Sequence, residues 1–363
     1  MKYLDEFRDK RLIRKAADKI NALKFPGRLK IMEVCGTHTQ NFLKFGLRQF
    51  LPANLEFIAG PGCPVCVSDQ AFVDRALACA DNKDTVVLTF GDMLRVPGSS
   101  STLEQKRAEQ GNVRIAYSPL DAVFFARANP QTRVVFLAVG FETTAPGIAL
   151  SVMLAKKQRL KNLFFLSSLK LMPPAMAYLV KDRRLDIDGF LCPGHVSAII
   201  GSRPYAFIPR RYGLGCCISG FEPLDILEGI YMLVRQITDG KPRVANEYAR
   251  VVKPEGNLRA RKIIYRVFKA QDASWRGLGT IPDSGLRLKG EYAQFDAQEE
   301  FPVSAKRLAM IRKPTKCRCG DVLKGLINPE TCVLFAKSCK PEHPVGPCMV
   351  SSEGACNAYY KYR

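Results

Sequence analysis

The chain has 363 residues, 47% of them apolar, with 55 lysines and arginines against 34 aspartates and glutamates, a formal charge of +21. That is enough apolar material for two or three packed domains, whereas no run of about 18 apolar residues is present to cross a membrane. The charged start Met1-Lys2-Tyr3-Leu4-Asp5-Glu6-Phe7 lacks signal-peptide character, so a cytoplasmic protein with no membrane partner is expected. The positive charge would suit nucleic acid, an acidic protein or an anionic metabolite. No run of five basic residues and no nucleic-acid motif occurs, so a basic solvated surface is the reading and no nucleic-acid partner is expected.

A helix is expected over residues 1 to 24, where Leu4, Phe7, Leu12, Ile13, Ala16, Ile20 and Leu23 recur at near-helical spacing before Phe25-Pro26-Gly27. It should dock on elements built later in the chain. Ile31 to Val34 reads as a strand, and Cys35-Gly36-Thr37-His38-Thr39 as a loop entering a helix, where the helix amides would lower the pKa of a thiolate. The next short strand ends at Ala59 and delivers Gly60-Pro61-Gly62-Cys63-Pro64-Val65-Cys66. Strands at Thr85 to Phe90, Val113 to Tyr117, Arg133 to Val139, Leu163 to Leu166, Gly189 to Leu191 and Leu214 to Ile218 follow, separated by helical stretches. This alternation predicts an α/β protein with two parallel sheets.

The polar glycine-rich stretches fall on strand-to-helix loops, where open α/β sheets bind ligands. The expected division is an N-terminal helix over 1–25, an α/β domain over 26–120 holding the Cys35 and Cys63/Cys66 loops, and a second over 121–240 holding Glu142 and His195. Residues 241–300 read as helical and then irregular around Trp275, a connector across the domains, and 241–363 as connector plus a cysteine-rich terminal domain.

Thirteen cysteines are too few for a disulfide scaffold in so long a chain, and their clustering points to metal or thiol chemistry. Cys63 and Cys66 can close a disulfide or chelate a soft metal. With Cys35 and His38 they would complete a Cys3His zinc set, although His38 could equally be a hydrogen-bonded loop histidine. The flanking glycines favour an open pocket in which a substrate or second protein reaches the thiols. In the tail, Cys317, Cys319, Cys332, Cys339, Cys348 and Cys356 outnumber the ligands of one zinc site. An iron–sulfur cluster on four of them, with two left as a dithiol or disulfide, suits the irregular spacing better. Glu142, beside Thr143 and Thr144, could bind a polar ligand or belong to a helix cap. His195 could be an acid–base group or a structural hydrogen bonder. Cys79, Cys216 and Cys217 read as core residues.

Taken together, Glu33-Val34-Cys35-Gly36-Thr37-His38-Thr39, Gly60-Pro61-Gly62-Cys63-Pro64-Val65-Cys66, Gly140-Phe141-Glu142-Thr143-Thr144, Pro193-Gly194-His195-Val196-Ser197 and the tail Gly346 to Cys356 resemble the HypD family of [NiFe]-hydrogenase maturation proteins. The resemblance covers nearly the whole chain. It implies two similar parallel-sheet α/β domains plus a smaller, mainly helical and irregular iron–sulfur domain. The family's Cys-x14-Cys-x6-Cys-x16-Cys pattern for a [4Fe–4S] cluster falls on Cys317, Cys332, Cys339 and Cys356. Cys319 and Cys348 are then left as a possible redox pair. The resemblance further implies that Cys35 ligates a transient Fe(CN)2CO iron together with a HypC-type small chaperone, and that a HypE-type protein donates cyanide. Cys63 and Cys66 would supply electrons, with His38, Glu142 and His195 also in the catalytic cleft. A stand-alone iron–sulfur thiol-disulfide oxidoreductase and a zinc-bearing binding protein are the alternatives.

Overall fold

Two fully parallel sheets account for the predicted alternation in the computed structural model, which describes residues 5–302 and 316–362. In chain order the strands are β1 (Leu29–Glu33), β2 (Leu55–Ala59), β3 (Thr85–Thr89), β4 (Val113–Ile115), β5 (Arg133–Gly140), β6 (Leu163–Leu169), β7 (Gly189–Pro193), β8 (Gly215–Ser219) and β9 (Val244–Asn246). The first sheet runs β2-β1-β7-β8-β9 and the second β4-β3-β5-β6. Strands β7 and β8 are buried along their whole length and β5 along all but its first residue, as expected where helices cover both faces.

The two sheets are wound alike. In each, the second strand lies outside the first and the later strands lie on the other side, so the direction reverses between β1 and β7 and between β3 and β5. Ligands of open α/β sheets bind beyond the carboxyl ends of the strands at such points. The loops there carry Cys35 and His195 in the first sheet and Asp92 and Glu142 in the second.

Strand membership departs from the expected division at residue 120. Residues 85–169 supply the whole second sheet and stand between β2 and β7 of the first. Counting alternations along the chain cannot reveal this, because pairing depends on which apolar edges meet. Met32 of β1 pairs with Phe190 of β7, and both are fully buried. The Cys63/Cys66 loop therefore lies on the first crossing from one sheet to the other.

Apolar burial is arranged in three large clusters. One joins inner faces of both sheets and contains Met32, Val87, Leu137, Phe190 and Trp275. A second covers the other face of the second sheet. The third lies on the outer face of the first, where Ile20 of the helix Lys10–Asn21 meets Ile226, Ile230 and Leu233 of the helix Pro223–Thr238. The N-terminal helix starts later than its apolar spacing suggests because the Asp9 side chain accepts hydrogen bonds from the Arg11 and Leu12 amides and caps it there. Residues 1–4 of the expected helix lie outside the described residues. Among the described residues, no helix is long and apolar enough to cross a membrane.

The connector also differs from its irregular reading. After the helix Leu258–Val267, strands β10 (Phe268–Trp275) and β11 (Gly279–Leu288) form an antiparallel hairpin with a shift of register between Gln271 and Ala273. That irregularity, with Pro282 and the glycines, hides the period-two pattern in the sequence. Trp275 is buried, donates its indole N–H to Ser284 Oγ at 2.7 Å and stacks on Phe141. The next amide, Arg276 N, donates to Val67 O at 2.9 Å, so the hairpin grips the end of the Cys63/Cys66 turn. In the terminal segment, the helix Ala355–Tyr362 packs on the helix Gly36–Lys44 of the first sheet.

Ile20→Ala is expected to destabilise the protein by about 2–5 kcal/mol, the usual loss for a fully buried aliphatic side chain. Urea unfolding followed by circular dichroism measures it. A loss under about 1 kcal/mol would show that the N-terminal helix lies outside the cooperative core.

Candidate functional site

The loops after β1 and β2 touch through their backbones. Gly60 N donates to Glu33 O at 2.8 Å, and Gly36 N donates to Gly62 O at 3.1 Å. A Cβ placed on Gly62 would lie 2.4 Å from both Cα and N of Cys35, closer than any side chain tolerates. Glycine is required here by this close approach, and the approach sets Cys35 beside the start of the Cys-x-x-Cys turn.

Cys35 stands at the N-cap of the helix Gly36–Lys44 and is almost fully buried. Its thiol is pushed up to about 12 by burial first and by the Glu353 carboxylate second, against the opposing pull of the His38 and Thr37 amides and the Thr37 hydroxyl. The sequence reading of a lowered pKa is thus overturned. Helix-terminal amides contribute on the order of 1 kcal/mol, whereas burying a thiolate costs more. Glu353 itself is held by the Thr37 hydroxyl, which donates to it at 2.8 Å.

His38 is completely buried and its Nε2 donates to Gly220 O at 2.9 Å, with Ser219 O at 3.2 Å. Its ring stacks on Phe221, and the more exposed His195 ring stacks on the same phenyl at a centroid separation of 3.9 Å. Burial lowers the pKa of both histidines, that of His38 to about 4. Because the Nε2 proton is committed to carbonyls, His38 is the hydrogen-bonded loop histidine of the two readings. Among the described residues, no three His, Cys, Asp or Glu side chains converge as a single metal ion requires, and Cys35, His38, Cys63 and Cys66 form no such set.

Cys63 caps the short turn Pro64–Val67, its Sγ accepting from Cys66 N at 3.2 Å. The Cys66 thiol is fully buried and is raised well above the ordinary value, burial being the main cause. It faces the terminal segment, with Pro347 O at 3.9 Å and the Cys348 thiol as a neighbour that favours its thiolate. Of the thiols around Cys348, Cys319 favours its thiolate while Cys356 and Cys66 oppose it; with burial the balance is again a raised pKa. Cys319 in turn neighbours Cys317, whose thiol favours its thiolate. A continuous chain of thiols therefore runs from Cys63 and Cys66 through Cys348 to the tail.

In that tail Cys317, Cys319, Cys332, Cys339, Cys348 and Cys356 line a single small cavity with Phe335 and Met349. A Cβ on Gly346 would lie 2.5 Å from Cys317 Sγ and fill it. The Cys339 sulfur accepts from Val345 N at 3.4 Å, the kind of amide donation that stabilises sulfur ligands. Thiols spread around a cavity, more numerous than four, match the donor set of a polynuclear iron–sulfur group better than that of one zinc ion.

Glu142, at the switch point of the second sheet, accepts from Met172 N at 2.9 Å through one oxygen while the other is buried with no hydrogen-bond partner. Burial pushes its carboxyl up to about 7. Cys79, Cys216 and Cys217 are buried in the apolar clusters. Sequence reasoning gave no role to Phe221, or to Glu353 within the quoted tail. It also passed over Glu33, whose buried carboxyl, pushed up to about 7 by burial, has one unpartnered oxygen.

Fold and site define a two-sheet α/β protein in which a buried chain of thiols links the switch point of one sheet to a terminal cysteine-lined cavity. The family model for HypD, described as "Hydrogenase formation hypA family", matches residues 11–363. The chain is 44% identical over 370 residues to the hydrogenase maturation factor HypD of Azotobacter vinelandii, 42% over 371 to that of Cupriavidus necator and 42% over 370 to that of Escherichia coli. Each match spans 100% of this chain and 97–98% of the relative. This chain belongs to the HypD family of hydrogenase maturation factors.

Gly62→Ala should displace the Cys35 loop; the expected result is a loss of about 1–3 kcal/mol on unfolding and faster alkylation of Cys35 in the folded state. Unchanged stability and thiol reactivity would show that the loops separate freely. Glu142 offers a pH test. Its carboxyl, raised from the ordinary 4.5 to about 7, favours the folded state below pH 4.5, and this contribution is lost as pH rises through about 7. Glu142→Gln should remove up to about 3 kcal/mol of that decline. Parallel stability curves for wild type and variant between about pH 5 and pH 8 would refute it.

Proposed function

We propose that this chain is a redox-active scaffold on which the iron of [NiFe]-hydrogenases acquires its cyanide and carbon monoxide ligands as Fe(CN)2CO. In this reading Cys35 holds that iron together with a thiolate lent by a HypC-type small chaperone, and a HypE-type protein donates cyanide. Soft thiolates suit low-spin Fe(II), and two proteins lending one each permit later release to the target enzyme. The buried Cys35 thiol stays protonated until a metal displaces its proton. His38, Phe221 and His195 form a wall of the same switch point. The cytoplasm, where thiols are kept reduced, is the proposed location.

The observation that carries the redox part is the position of Cys348, which lines one cavity with Cys319 and follows Pro347, whose carbonyl lies 3.9 Å from Cys66 Sγ. Cys63 and Cys66 release two electrons and two protons when they close a disulfide. To restore them, the Cys348 thiolate attacks Cys66 Sγ and Cys63 leaves as a thiolate; Cys319 then attacks Cys348 and releases Cys66. Two electrons have moved, and the disulfide now joins Cys319 and Cys348. Cys317, Cys332, Cys339 and Cys356 would hold a [4Fe–4S] cluster, which when bound supplies electrons singly.

The test is anaerobic co-purification with the HypC-type and HypE-type proteins, followed by infrared spectroscopy and iron analysis. Wild type should give bands of bound carbon monoxide and cyanide and hold about four irons beyond the cargo. Cys35→Ser should lose the bands and keep the four irons, and Cys348→Ser should leave Cys63 and Cys66 oxidised after one cycle. Bands at full intensity in Cys35→Ser would remove Cys35 from the iron.

A further inference from the structure

A polar cavity of about 200 Å³ lies on the far side of the Cys63/Cys66 turn, lined by Arg75, Ser167, Ser168, Lys170 and Ser274 among others. One water needs only about 10–15 Å³ of such space. The cavity lies between the helix Gln70–Ala80, the carboxyl end of β6 and strand β10.

Lys170 is only 5% exposed and its backbone is pinned, its amide donating to Gly140 O at 2.9 Å. Its ammonium has three donors, and the hydrogen bond assigned to it goes to Ser274 O at 2.8 Å. No carboxylate among the described residues lies within ion-pair distance of it; burial lowers its pKa to about 8, and Asp69 opposes this from farther off. Arg75 has no carboxylate within ion-pair distance among the described residues, the Asp296 carboxyl feeling its charge from farther off. Asp69 accepts from Phe72 N at 2.8 Å and Asp272 from Asp283 N at 3.1 Å, each through one oxygen. Two cations with donors to spare thus face the cavity alongside two carboxylates, Asp69 and Asp272, each of which accepts one backbone amide.

We propose that this cavity binds a small oxyanion, a phosphate or carboxylate group, between the Arg75 guanidinium and the Lys170 ammonium. The guanidinium fork fits two oxygens of such a group, and the ammonium supplies a point charge opposite. The site is separate from the cysteine-lined cavity but adjoins the dithiol turn, since Ser168 Oγ lies 3.3 Å from Ser68 Oγ, and Ser68 caps that turn.

The reporter is built in, because Trp275 is the sole tryptophan of the chain and follows Ser274 directly. Inorganic phosphate and acetate are titrated separately into the full-length protein at constant ionic strength, with tryptophan fluorescence and calorimetry as readouts. Saturable binding at one phosphate per chain is expected, weakened roughly tenfold to a hundredfold in Arg75→Gln and in Lys170→Met. Tighter phosphate than acetate binding would assign a phosphoryl ligand, and the reverse a carboxylate. Arg75→Gln, at a half-buried position, keeps the test decisive should Lys170→Met fail to fold. Absence of saturable binding of either anion, or equal affinity in wild type and Arg75→Gln, would overturn the proposal.

Discussion

The backbone contact between Gly62 and Cys35 is the constraint on which the rest of the site depends. It exists because β1 and β2 are adjacent parallel strands whose following loops must turn in the same narrow space, leaving no room for a Cβ at Gly62. Once the loops are clamped, Cys63 caps its turn next to Cys35, and Cys66, three residues on, points away from β1 toward the terminal segment. The spacing of two residues in the Cys-x-x-Cys sequence thus does geometric work as well as chemical work, presenting one thiol to each of two neighbours.

The terminal segment completes the arrangement by touching both sheets. Glu353 receives the Thr37 hydroxyl beside Cys35 in the first sheet, and the Ser351 hydroxyl donates to Asp92 at 2.7 Å at the switch point of the second. Gly36 admits the Glu353 backbone so closely that a Cβ would lie 2.2 Å from its carbonyl oxygen. Buried in this way, the Cys35 thiol sits in a medium that favours its protonated form, and desolvation outweighs the helix amides there. Enclosure favours the neutral thiols of Cys35, Cys66 and Cys348.

The two sheets place like positions to different uses. The switch point of the first holds a thiol and two histidines around Phe221, and that of the second holds Asp92 and a buried carboxyl, Glu142. The hairpin β10–β11 and the terminal segment both bridge the sheets, so that the apolar cluster between them is continuous from Met32 to Trp275 and Cys348. An arrangement of this kind couples the dithiol turn mechanically to both halves of the protein.

By itself the sequence determined the α/β class, the positions of most strands and the motifs that mark the loops, because these rest on local periodicity and on residue types such as Gly60, Cys63 and Cys66. It also determined the family, since long motifs in fixed order survive without any knowledge of contacts. Only the tertiary structure decided that residues 85–169 form a sheet of their own inside the strand order of the other, and that the connector is a hairpin. It alone set the protonation of Cys35 and turned His38 toward the Gly220 carbonyl. Above all it brought Cys66 within reach of Pro347 and Cys348, across 281 residues in the case of Pro347. Local pattern encodes which elements form, whereas partners so far apart are chosen by packing of buried surfaces, and no spacing rule along the chain reports them.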